Sequence, residues 1–248
     1  MNNSNNQIFT CAGINNAISI LESKKYSIEN INILENSKAD KDKKLNFILR
    51  SHVVNKINKE TYKKKIASKK TQGIWITFSG KLVYDEIPDY SDKNDVCLLA
   101  LDQVEDPQNF GQIIRTVECA GINGIIFSKH HSVPLTNTVL EVSQGAFVNM
   151  NFFEVTNIRN ELKTLKNNNF WTIGLENSID AKPWYSIEYS GKTVIVVGSE
   201  GKGIRKKVLE TCDFISTIPM QGKTNSLNVG AATAAIVFER LRQKLEKE

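Results

Sequence analysis

The chain has 248 residues, 40% hydrophobic and 24% charged, with a formal net charge of +5. That length can bury one large core or two modest ones, and no apolar run approaches the roughly 20 residues of a membrane-spanning helix. Residues 1–7 lack the basic and apolar segments of a signal peptide and the arginines of a transit peptide, and read as a disordered tail.

Cys11, Cys97, Cys119 and Cys212 are scattered, without a CxxC pair or a histidine at ligand spacing. They read as reduced, mostly buried small hydrophobes of a cytoplasmic protein, not as a metal site or disulfides. His52, His130 and His131 have no Ser, Asp or Glu arranged around them that would suggest a triad. The charge is uneven. Residues 1–90 carry 15 Lys/Arg against 9 Asp/Glu, whereas the remainder carries 17 against 18. A basic N-terminal part on a near-neutral remainder suggests a nucleic-acid grip joined to a chemical domain, or equally a solvated lysine surface.

Residues 8–80 read as a small α/β unit. Ile14, Ala17, Ile18 and Leu21 recur at helical spacing, and Ile28, Ile31 and Ile33 predict a short strand over 28–34. Leu45, Ile48 and Leu49 mark a second helix; Val53, Val54 and Ile57 mark a second strand. Residues 59–68 are basic and helical in pattern, and residues 71–78 form a final strand rich in β-branched and aromatic side chains. Residues 81–94, polar and holding Pro88, read as a linker.

From residue 95 to residue 248 strands and helices alternate. Residues 96–101 are an apolar run of buried-strand type, followed by a helix through Ile113, Ile114, Val117 and Ala120 that stops at Gly121. Further strands are expected at Gly124–Ser128, Phe152–Val155, Trp171–Leu175, 193–197 and 214–218. A closing helix carries the stripe Leu227, Ala231, Ala234, Phe238, Leu241 and Leu245, read as its buried face. Such alternation implies an α/β fold with a mainly parallel sheet covered by helices.

Four motifs sit where predicted strands give way to loops or helices, the usual place for sites in an α/β domain. The first, Asn109-Phe110-Gly111 with Arg115, opens a helix, and a helix N-terminus with a guanidinium nearby suits a phosphate. The second is Gly198-Ser199-Glu200-Gly201-Lys202-Gly203 after an apolar strand. Its GxxGxG spacing departs from the GxGxxG of dinucleotide sites, and Glu200 at its centre is more than a structural turn requires. The two Gly-Lys-Thr triplets at Gly191 and Gly222 lack the upstream glycine of a phosphate loop, having Ser186 and Thr217 there. The third motif is Ile218-Pro219-Met220; the fourth, Asn225-Ser226-Leu227-Asn228-Val229, heads the last helix. Taken singly, Ser226 reads as an N-cap and Asn228 as a solvated first-turn residue. The small residues Gly230, Ala231, Ala232, Ala234 and Ala235 permit close approach of another backbone.

In this order the four motifs resemble the SpoU-type RNA ribose 2′-O-methyltransferases of the SPOUT superfamily. The resemblance implies a C-terminal trefoil knot in residues 95–248 and, in residues 8–80, a ribosomal-protein-L30-like domain that binds RNA. It implies S-adenosyl-L-methionine as cofactor, held at Gly198, Gly203, Ile218, Met220 and Leu227 mainly through backbone groups, and no metal. Asn109, Arg115, Glu200, Ser226 and Asn228 would form the reaction centre. Glu200, Ser226 and Asn228 would orient Arg115, which anchors RNA phosphate. The implied substrate is a guanosine of large-subunit ribosomal RNA; transfer RNA, or RNA binding without catalysis, are the alternatives. A homodimer with a site completed across the interface is expected, without membrane association. Three departures from the family pattern, Asn15 in place of histidine, Glu141 in place of a basic residue and Gly230 in place of serine, bear on RNA choice and packing.

Overall fold

The strands sort into two sheets, of four and of eight strands, in a computed structural model that describes residues 7–65, 71–178 and 180–247. The chain runs β1 (Gln7–Ala12), α1 (Ile14–Ser23), β2 (Ser27–Leu34), α2 (Lys43–Leu49), β3 (Asn55–Ile57), α3 (Lys59–Lys65) and β4 (Ile74–Gly80). There follow β5 (Val83–Tyr84), β6 (Val96–Asp102), α4 (Pro107–Cys119), β7 (Gly124–Ser128), α5 (Asn137–Val142), β8 (Phe152–Val155), α6 (Ile158–Asn167) and β9 (Trp171–Leu175). The last stretch is β10 (Lys182–Pro183), β11 (Lys192–Gly198), α7 (Lys206–Leu209), β12 (Phe214–Thr217) and α8 (Val229–Leu245). By contact the chain divides into two units: residues up to Leu82 with Leu135–Asn149, and the rest.

In the first unit the sheet order is β1-β4-β2-β3, antiparallel except for the β2/β3 pair. Strand β1 was not expected from the sequence. Phe9 and Cys11 alternate inward, but Ile8 is 70% exposed, so only two apolar positions signal it. Val53 lies outside the strand expected there and is 88% exposed; β3 begins at Asn55. The tail residues 1–6 and the end of the basic helix, 66–70, fall outside the described residues. Residues 135–149, expected to belong to the C-terminal domain, are part of this unit. Asn137 and Glu141 accept hydrogen bonds from the β1 amides of Thr10 and Ala12, both at 3.1 Å. Phe147, fully buried, stacks on Phe78 with ring centroids 6.0 Å apart.

The second unit holds eight strands in the order β10-β12-β9-β11-β6-β7-β8-β5, every neighbouring pair parallel. Strands β6 and β11 are buried along nearly their whole length, as a sheet covered on both faces requires. The expected linker is partly structured: Val83 and Tyr84 pair with Phe152 and Phe153 at the sheet edge, both being good strand formers.

Two helices position the site. Helix α4 begins at Asp106, whose carboxylate accepts from the Gln108 amide at 3.0 Å, with Pro107 in the first turn. With Asp106 as the cap, Asn109 is free to point elsewhere. Phe110, Ile113, Ile114 and Val117 seat α4 on the sheet, Phe110 meeting Phe127 and Phe152 at 5.5 and 6.4 Å between centroids. Helix α8 corrects the sequence reading. The expected buried stripe is mostly outside: Leu227, Phe238 and Leu245 are 43%, 46% and 61% exposed. The buried face is Val229, Gly230, Thr233, Ile236, Val237 and Arg240. Polar partners decide this. The Thr233 hydroxyl donates to the Val229 carbonyl at 2.7 Å, and one terminal guanidinium nitrogen of Arg240 pairs with Asp95 at 2.8 Å, so polar side chains with partners in place occupy the inner face, although the buried Arg240 Nε has none.

Truncating Phe110 to Ala should cost about 3–5 kcal/mol through the cavity left under α4. Urea unfolding of the variant measures it; an unchanged midpoint would show that α4 is seated by other contacts.

Candidate functional site

The glycine-rich turn closes on itself. At Gly198 an added Cβ would lie 2.0 Å from the Gly203 carbonyl carbon, closer than any side-chain carbon can sit to backbone. Gly203 has φ +66°, and a Cβ there would meet a Glu176 carboxylate oxygen at 2.3 Å. The Gly203 amide donates to the Ser199 carbonyl at 3.0 Å, completing the tight loop.

Two carboxylates from neighbouring strand ends hold this turn. Glu176, just past β9, accepts from the Ile204 amide at 2.7 Å and from the Asn177 amide at 3.2 Å. Asp102, fully buried at the end of β6, accepts from the Arg205 amide and Nε, both at 2.8 Å, and pairs with its second guanidinium nitrogen at 2.6 Å. Burying a carboxylate without such partners is costly.

Between this turn, the β12 loop and the head of α8 lies a cavity of about 370 Å³, within the ~300–1,000 Å³ of small-molecule pockets. Its lining includes the apolar Val197, Ile218, Met220, Leu227 and Val229 and two carboxylates, Glu176 and Glu200. No Lys or Arg lines it. In a chain with net charge +5, a cavity with two carboxylates and no cationic side chain disfavours phosphate-bearing ligands and suits an apolar ligand with positive charge. All five expected cofactor residues, Gly198, Gly203, Ile218, Met220 and Leu227, line it, as do Glu200 and Ser226.

A second, smaller cavity of about 190 Å³ adjoins the first, with Ser199, Glu200 and Val229 common to both walls. Gln103, Val104, Glu105, Asp106, Asn109 and Lys202 complete it. At the junction three side chains meet. The Asn109 amide donates to Glu200 at 3.1 Å, and the Asn228 amide donates both to the Asn109 carbonyl oxygen at 3.0 Å and to the same Glu200 oxygen. Asn228 is also the N-cap of α8, its carbonyl oxygen accepting from the Gly230 and Ala231 amides at 2.9 and 3.3 Å. The cap is thus Asn228, not Ser226, and one residue both starts the helix and fixes the carboxylate. Arg115 is exposed, two turns along α4 from the junction, lines neither cavity, and makes no hydrogen bond or ion pair among the described residues.

Glu176, Asn177 and Asp102 were not singled out from the sequence. Asn177 donates to the Asn225 carbonyl at 3.3 Å, tying the β9 end to the fourth motif. A carboxylate immediately after a predicted strand, as at Glu176, was the available signal. Cys11 and Cys97 are buried, Cys212 partly so with its thiol pushed up to about 12 by burial, whereas Cys119 is exposed. No group of three or more His, Cys, Asp and Glu among the described residues could hold a metal ion, and none of the described helices is long and apolar enough to cross a membrane.

Residues 96–238, more than half of the chain, match the profile of the SpoU rRNA Methylase family. The chain is 41% identical over 151 residues to a protein of Pseudomonas aeruginosa named 23S rRNA (guanosine-2′-O-)-methyltransferase RlmB, covering 61% of this chain and 60% of that protein. It spans about six tenths of the length of the curated relatives it matches. Among solved structures it resembles the SpoU methyltransferase AviRb of Streptomyces viridochromogenes in complex with AdoMet, with a TM-score of 0.78, 18% identity and coverage of 96% of this chain and 91% of that one. It also resembles the TrmH/SpoU tRNA modifying enzyme of A. aeolicus, with a TM-score of 0.56, 28% identity and coverage of 62% and 78%. At 18% identity the first likeness is one of fold.

Asp102→Asn removes the charge-assisted hydrogen bonds to the half-exposed Arg205 guanidinium and should lower stability by about 2 kcal/mol, with faster hydrogen exchange at the Ile204 and Arg205 amides. Exchange unchanged from the parent would mean the turn is held elsewhere.

Proposed function

The chain belongs to the SpoU rRNA Methylase family, and on that premise we propose that it transfers a methyl group from S-adenosyl-L-methionine to a ribose 2′-hydroxyl of RNA. The proposed target is a guanosine of 23S ribosomal RNA, and the proposed setting is the cytoplasm. The name of the Pseudomonas aeruginosa relative supports the target. The observation that carries the reading is the pair of adjoining cavities: one acid-lined and free of cationic side chains, the other meeting it at the Asn109–Glu200–Asn228 junction.

The residues present fit the cofactor. Apolar Ile218, Met220, Leu227 and Val229 suit the adenine, the tight Gly198–Gly203 closure leaves backbone close to it, and the carboxylates match a sulfonium. When bound, S-adenosyl-L-methionine supplies an already activated methyl group, so the protein's task is mainly to position the acceptor oxygen. Glu200, held on one oxygen by two amides, fixes the wall shared by both cavities, where the ribose would sit. Ser226 lines the donor side, and Asn109 the acceptor side.

A guanidinium offers a fork of donors and no acceptor, which suits Arg115 to anchor an RNA phosphate rather than to act as a base. Its place in this proposal is across a homodimer interface. Arg115 is exposed and unpaired among the described residues, and α4 packs on α8, whose Phe238 and Leu245 are exposed apolar surface in one protomer. In the N-terminal unit, α2 with its C-cap and α3 carry Lys43, Arg50, Lys59 and Lys63, and Phe47 stands 70% exposed with the Arg50 guanidinium 5.7 Å from its ring centre. Such a surface suits RNA phosphates and an unstacked base. The trefoil knot in residues 95–248 belongs to the same reading.

Incubating the protein with labelled S-adenosyl-L-methionine and ribosomal RNA, then mapping ribose methyls, tests the proposal. A 2′-O-methylguanosine is expected, lost when that ribose is 2′-deoxy; a base methyl, or transfer that survives the deoxy substitution, would refute it. Mixing inactive Arg115→Ala and Glu200→Ala protomers should restore about a quarter of the activity if each site takes its arginine from the partner, since only mixed dimers hold one intact site. No recovery would place both residues in one protomer's site.

A further inference from the structure

We propose that Glu176 is the residue by which the donor cavity distinguishes its cationic methyl donor from the product left after transfer; this rests on the methyl-transfer reading above. Two carboxylates line that cavity, and they are held differently. Glu200 is engaged by the side chains of Asn109 and Asn228 at the junction with the acceptor cavity. Glu176 is held by backbone alone, through the amides of Ile204 at 2.7 Å and Asn177 at 3.2 Å. Those two hydrogen bonds fix the carboxylate without cancelling its charge, and no Lys or Arg pairs with it among the described residues.

The ligand's charge changes at one atom. A sulfonium becomes a neutral thioether when its methyl leaves, while the amino-acid tail and the adenosine keep their charges. A fixed carboxylate in a partly enclosed cavity therefore attracts the donor more than the product, and the preference vanishes with transfer, which favours exchange of product for fresh donor. The half-buried position matters, because a fully solvated carboxylate would be screened. Supporting the turn is a separate duty of the same side chain, and the two are separable. In Glu176→Gln the amide oxygen still accepts from Ile204, the Asn177 amide loses its side-chain acceptor, and the charge is gone.

Calorimetric titration of the whole protein and of E176Q with S-adenosylmethionine, S-adenosylhomocysteine and sinefungin (an analogue with an amine in place of the sulfonium methyl) decides the matter. E176Q is expected to bind S-adenosylmethionine and sinefungin about tenfold more weakly, with S-adenosylhomocysteine changed less than about twofold. Equal weakening for all three would reduce Glu176 to a support of the turn, and no weakening would remove its role; either overturns the proposal while leaving the methyl-transfer reading intact. A parent protein that binds none of them overturns both. Should E176Q fail to fold, the parent's salt dependence reads the combined charge of Glu176 and Glu200, without which Glu176 can have no such role. Going from ~0.05 to ~0.5 M NaCl should weaken S-adenosylmethionine more than S-adenosylhomocysteine, and parallel curves would overturn the proposal.

Discussion

Backbone touching backbone at Gly198 and Gly203 is the constraint on which the site rests. Because neither residue carries a Cβ, β11 can end, turn and return within a few residues, bringing Ile204 and Arg205 under the ends of β9 and β6. That closure sets Glu200 at the wall between two cavities, and it puts Glu176 and Asp102 within reach of the turn's amides. Any side chain at Gly198 would push the returning segment at Gly203 away and open the donor cavity.

The charges around this turn divide the work. Asp102 is wholly buried and answers a guanidinium as well as an amide, so its role is to hold structure. Glu176 and Glu200 border space that a ligand could fill and have only uncharged donors, so their charge remains available to what binds. The cationic side chains of this region lie outside the donor cavity: Lys202 on the acceptor side, Arg115 exposed on α4. In the proposed reaction that separation places RNA phosphates and the sulfonium in different electrostatic surroundings.

Much of this was legible in the sequence because strands buried on both faces are continuous apolar runs, as in Val194-Ile195-Val196-Val197, and because turn chemistry is local. All five expected cofactor residues lie on one cavity for that reason. What was not legible depended on partners distant in sequence. The face of α8 that turns inward is set by Asp95 meeting Arg240, 145 residues apart, which no helical periodicity encodes. Residues 135–149 sit with the N-terminal unit because Asn137 and Glu141 meet β1 amides well over a hundred residues away. The capping role of Asn228 was hidden behind Ser226, an equally good capping residue two positions earlier. Arg115 was grouped with the junction from its motif, yet helical geometry carries it two turns away from Asn109.

The central claim is that closure of the Gly198–Gly203 turn creates the cavity that holds the methyl donor. Titrating S-adenosylmethionine into the parent protein and into Gly198→Ala, with circular dichroism showing that both are folded, tests it most directly. The expected result is one site per chain in the parent and a loss of at least about a hundredfold in affinity in the variant, from the clash of the new Cβ with Gly203. Equal affinity in the two proteins would contradict the account, because the donor would then be bound somewhere the turn does not shape.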